Sequence, residues 1–130
     1  MSPAKVLIVE DNKMNMELAT DLLTLLGHDV LQASTGFDAI ALLRDTKPDL
    51  ILMDLQLPGL SGFDLTRSLK QDPRTRDIPI IAMTAYAMKG DAERAFEAGC
   101  SGYIPKPIEC DQFRQVVDEV LKDDENKAAG

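Results

Sequence analysis

The chain has two cysteines, one histidine, a shortage of basic residues and no long hydrophobic run, and each shortage excludes a class of function. Cys100 and Cys110 are not spaced as metal ligands and are too few for a disulfide framework, which leaves them as buried or idle thiols. His28 stands at the polar start of the second strand candidate with no Ser or Cys nucleophile in any motif nearby, so a surface position is expected. Lysine and arginine total 14 against 22 acidic residues, a formal net charge of −8 that repels a phosphate backbone; nucleic acid is not an expected partner. No apolar stretch approaches the roughly 20 residues of a membrane helix. The start, MSPAKVLIVED, lacks the basic-then-hydrophobic order of a secretory signal, and a cytoplasmic location is expected. A G-x-x-x-x-G-K-[ST] nucleotide loop is also missing.

What is present fits one domain, with 45% hydrophobic residues over 130 positions. Short apolar runs alternate five times with segments of helical period. The runs are Val6 to Val9, Val30 to Ala33, Leu50 to Met53, Ile78 to Met83 and Gly102 to Ile104. Between and after them, Leu18, Leu22, Leu25 and Leu26 share a helical face, as do Phe113, Val116, Val117, Val120 and Leu121. Phe37, Ile40 and Ala41 mark the second helix, Leu65 and Leu69 the third, and Ala92, Ala95, Phe96 and Gly99 the fourth. The fourth has mostly small side chains and is expected to be the least anchored. Gly27 and Gly99 sit at helix C-termini. Runs that are apolar without alternation imply strands buried on both faces, hence a parallel α/β sheet with helices on either side. The polar tail KDDENKAAG carries no core pattern and is expected to fray: residues 1–122 form the domain and 123–130 a disordered tail.

In such a sheet the ligand site lies beyond the carboxyl ends of the strands. Those ends carry Glu10 and Asp11, then Asp54, Thr84 and Lys106. Taken singly each has a plain explanation: Asp54 as a turn residue, Glu10 and Asp11 as a helix cap, Thr84 and Lys106 as ordinary strand and surface residues. Together they do not. Carboxylates converging on one edge repel unless a cation sits among them, and Mg²⁺, a hard oxygen-seeking ion, meets that need. Asp54 closes the buried run LILM and so needs a compensating partner, for which that ion and Lys106 are the candidates.

The strings LIVEDN (7–12), LILMDLQLPGLSG (50–62), IAMTAYAMKGD (81–91) and GYIPKPI (102–108) resemble the receiver domain of bacterial two-component response regulators over residues 5–122. VEDNKMN and TAYAMKGDAERAFEAGC further resemble single-domain cell-cycle regulators of the DivK type, and receivers of hybrid histidine kinases carry similar strings. The resemblance implies a flavodoxin-like sheet of order 2-1-3-4-5 with five helices. It implies that Asp54 accepts a phosphoryl group from a phosphohistidine on a kinase or phosphotransferase. Asp11, Asp54 and the Gln56 carbonyl would hold Mg²⁺, with Glu10 acting through water. Thr84, Ala85, Leu55 and Lys106 would surround the phosphoryl group. Thr84 and Tyr103 would form the switch, and Lys106–Pro107 would be cis. The expected protein is a monomer that binds a downstream protein through helix 4, strand 5 and helix 5; with few residues before 5 and after 122, output would fall to another protein. Rival readings are a fragment of a hybrid kinase, a degenerate receiver, an aspartyl-nucleophile Mg²⁺ phosphatase and a flavin carrier. Gln56 stands where such phosphatases commonly place a second Asp, and the acidic loop EDNKMN is unsuited to a flavin phosphate.

Overall fold

Each apolar run becomes a strand in the computed structural model, which describes residues 3–85 and 90–129. The chain order is β1 (Lys5–Val9), α1 (Lys13–Leu25), β2 (Asp29–Ala33), α2 (Gly36–Asp45), β3 (Leu50–Asp54), α3 (Gly62–Gln71), β4 (Ile80–Thr84), α4 (Asp91–Ala98), β5 (Gly102–Pro105) and α5 (Cys110–Ala129). The strands form one parallel sheet ordered β2-β1-β3-β4-β5. Every residue of β3 and β4 is buried, which explains why those runs do not alternate. Side-chain alternation divides the core in two. Leu7, Val9, Ile51, Met53, Ile80 and Ala82 pack with Ala39, Leu65, Leu69 and Ala95 from α2, α3 and α4. Ile8, Leu52, Ile81 and Met83 face Met16, Ala19 and Leu23 of α1 and Phe113, Val117 and Val120 of α5.

Side-chain caps start three helices: Asn12 Oδ1 accepts the Asn15 N–H at 3.0 Å, Thr35 Oγ1 that of Asp38 at 3.0 Å, and Ser61 Oγ that of Phe63 at 3.2 Å. Gly27, just past α1, and Gly99, the C-cap of α4, take the left-handed conformation expected of them.

Five expectations need correction. The buried stripe of α1 is Met16, Ala19 and Leu23; Leu18 and Leu25 point to solvent, because a second set of residues has the same period and fits the sheet with a small alanine at its centre. Phe37 and Phe96 are exposed rather than core-facing, and Ala95 and Ala98 hold α4 instead. The fourth strand begins at Ile80, with Ile78 buried in the turn before Pro79. His28 is buried: the turn at Gly27 folds it under the start of β1, where its Nδ1 accepts the Ala4 N–H at 3.0 Å. α5 continues to Ala129, past the expected end of the domain at 122. A helix already anchored by Phe113 and Val117 extends through Lys, Glu and Ala without needing an apolar face. Among the described residues no helix is long and apolar enough to cross a membrane. The part of the TAYAMKGD string at 86–89 lies outside the described residues.

Candidate functional site

The strand register aligns Asp54 with Met83 and Thr84 with Pro105, so the polar strand ends meet at one edge. Glu10 and Asp54 are buried there, and Asp11 is exposed beside them. One oxygen from each of the three carboxylates lies within 4.8 Å of the others. Lys106 Nζ reaches in from the end of β5, 3.2 Å from Asp54 Oδ2 and 2.5 Å from Glu10 Oε1. The contact with Glu10 is an ion pair rather than a well-directed hydrogen bond. Lys106 is positioned by its own N–H, which donates to the Thr84 carbonyl at 2.8 Å, and the Lys106–Pro107 peptide that follows is cis.

The plain explanations account for only part of what the acidic residues do. The cap of α1 is Asn12, so Glu10 and Asp11 are not used for capping, although Glu10 Oε2 does accept the Asn12 N–H at 3.2 Å. Asp54 Oδ1 accepts the Gln56 N–H at 2.9 Å, a turn contact that leaves Oδ2 to Lys106. Burial pushes the Glu10 carboxyl up to about 7, helped by the neighbouring Asp54 carboxyl and opposed by Lys106. At Asp54 burial also acts upward, but the neighbouring Glu10 carboxyl, the Gln56 N–H and Lys106 outweigh it and hold this carboxyl below its ordinary range. One ammonium therefore supports Asp54 as an anion but not a full set of three. This donor set fits a hard divalent cation: the oxygens are close together, Asp11 opens to solvent, and the charge balance calls for a further positive ion.

The remaining expected residues are less uniformly placed. Thr84 is buried at the end of β4 and Ala85 is exposed just beyond it. Tyr103 is half-buried, aligned with Ala82 two residues before Thr84, and so lies on the same sheet face as the Thr84 side chain. Gln56 is exposed at the mouth. Leu55 packs into the core and its N–H donates to the Met83 carbonyl at 2.9 Å, so it is poorly placed to meet a phosphoryl group. A residue that sequence reasoning missed is Gly62. A Cβ there would lie 2.7 Å from Leu55 Cα and collide with the Asp54 carbonyl oxygen, so only glycine lets α3 start against the backbone of Asp54. Its signal was the Ser61-Gly62 pair at a helix start.

Comparison with known proteins agrees with this geometry. Residues 6–118 match the model of the response regulator receiver domain. The polar-differentiation response regulator DivK of Brucella anthropi is 47% identical over 121 residues, covering 93% of this chain and 98% of that protein. The receiver domain of a Pseudomonas aeruginosa PAO1 sensor histidine kinase, whose structure has a magnesium ion coordinated in the active site cleft, superposes with a TM-score of 0.84 at 32% identity, over 93% of this chain and 99% of that one. Chemotaxis response regulator CheY4 of Vibrio cholerae shares the fold, with a TM-score of 0.85 at 23% identity over 92% of this chain and 99% of its own. With a matched family model over most of its length and an acidic pocket at the expected sheet edge, this chain belongs to the response regulator receiver domain family.

Proposed function

We propose that this chain acts as a receiver that takes a phosphoryl group from a phosphohistidine of a histidine kinase or phosphotransferase onto Asp54 and relays the signal by changing its partner-binding surface. The observation that carries this reading is Asp54 itself, a buried carboxylate kept anionic at the mouth of an acidic pocket by Lys106 at 3.2 Å. An Asp54 oxygen bonds to phosphorus as the bond from phosphorus to the imidazole nitrogen breaks, and the imidazole departs with that electron pair. Asp11, Asp54 and the Gln56 carbonyl would hold Mg²⁺, with Glu10 acting through water, and the ion would supply neutralisation of charge on the phosphoryl oxygens. Lys106 pairs with one of those oxygens, the Thr84 hydroxyl donates to a second, and the Ala85 N–H to a third.

A phosphoryl group adds about one negative charge at a fixed edge. That charge shifts a conformational equilibrium only through interactions that one state makes and the other lacks, here those of Thr84 and Lys106. Thr84 drawn inward vacates space beside Tyr103, whose ring turns into it and alters the outer surface. The downstream protein then reads the face of α4, β5 and α5. Relatives named for polar differentiation support a cell-cycle or developmental relay.

Acetyl phosphate or a phosphorylated kinase domain should label the protein, with the label stable in acid and lost to hydroxylamine. Asp54→Ala should remove all of it. Label that persists in Asp54→Ala would place the acceptor elsewhere.

A further inference from the structure

α3, which starts at the acceptor edge, is joined to α4 by an aromatic contact. α3 begins against the backbone of Asp54 at Gly62, and the next residue, Phe63, leans half-buried on the core cluster that contains Leu55 and Ala95. Across from it the guanidinium carbon of Arg94, on α4, lies 4.6 Å from the centre of the Phe63 ring. The rest of α4 has little hold. Among its described residues Ala95 and Ala98 are the buried ones, and its N-cap, Gly90, provides no side-chain hydrogen bond.

We propose that the Arg94–Phe63 stack is a latch that holds α4 in its resting position and so sets how much of the protein is already in the switched state. The two residues are positioning residues, since neither touches the reacting atoms. This inference rests on the receiver reading and names the regulation of that same site. A planar guanidinium over an aromatic face is the arrangement in which arginine attracts a ring. If the contact is made with α4 at rest and lost when α4 moves, it opposes switching. With the resting state dominant, removing it must then tighten the binding of any ligand that prefers the switched state by nearly the same factor. One exposed cation–π contact corresponds to a change of about two- to five-fold.

The test is a titration of beryllofluoride with saturating Mg²⁺ into wild type, Arg94→Met, Phe63→Leu and the double variant, followed by amide NMR at Glu10 and Asn12. Arg94 is exposed and Phe63→Leu keeps an apolar side chain, so both variants are expected to fold. Each single variant should bind about two- to five-fold more tightly than wild type. The double variant should gain no more than one single variant, because both substitutions remove the same contact. Unchanged or weaker binding in either single variant, or additive gains in the double, overturns the latch. Failure of wild type to bind beryllofluoride overturns the receiver reading, and the latch with it.

Discussion

Helices α5 and α4 flank the last strand from opposite faces of the sheet, and they are held there by different means. α5 is 20 residues long, buries Phe113, Val117 and Val120, and starts with Glu109 accepting the Gln112 N–H at 2.8 Å. α4 is 8 residues long, buries Ala95 and Ala98, and leaves Phe96 half in solvent. A fully buried large side chain contributes about 1.5–3 kcal/mol, and an alanine methyl much less. Displacing α5 therefore breaks a core, while displacing α4 breaks little. A charge placed at the shared edge will be accommodated by the helix that is cheaper to move.

The strongest challenge to this contrast is truncation of the α5 anchor. Phe113→Ala should cost about 3–5 kcal/mol of stability, measured by urea unfolding. A loss under about 1 kcal/mol would mean that α5 is held no better than α4.

A second challenge concerns the edge between the two helices. The folded Glu10 carboxyl titrates at about 7, above its unfolded value of 4.5, so the folded state keeps a proton that the unfolded chain gives up. The stability contributed by this group is complete below 4.5 and is lost as pH rises toward about 7. Metal-free wild type should accordingly lose stability between pH 5 and 7 relative to Glu10→Gln, and added Mg²⁺ should offset that loss by replacing the proton. Parallel pH profiles for the two proteins in urea unfolding would contradict this.

The smallest effect belongs to α4. Ala95→Gly should cost about 1 kcal/mol, set by helix propensity with little packing lost. A cost near that of Phe113→Ala would show a core contact where the structure places only a methyl group.

The parts of this contrast are not equally legible in the sequence. The strand-end residues are, because a parallel sheet carries every strand's last residue to the same edge and the apolar runs mark those ends. The weak hold of α4 is also visible in its alanines, although the helical period alone puts Phe96 on the wrong side. In α1 the period is correct and the phase is not, since Leu18-Leu22-Leu25 and Met16-Ala19-Leu23 satisfy it equally and only the sheet decides between them. His28 gives no local sign of burial, because its partner is Ala4, 24 residues earlier. The pairing of Phe63 with Arg94 joins positions 31 residues apart with no motif between them, and only the packing of α3 on α4 brings them together.

The central claim is that chemistry at Asp54 is expressed through α4 and β5 while α5 stays in place. Beryllofluoride with Mg²⁺ mimics the phosphoryl group on Asp54, and amide NMR reports each element separately. The account predicts large shifts at Thr84, from Ala92 to Ala98 and around Tyr103, with small ones from Phe113 to Val120. Shifts confined to residues 10–12, 54–60 and 106 would mean that the site binds without switching, and shifts as large along α5 as along α4 would contradict the division of labour between the two helices.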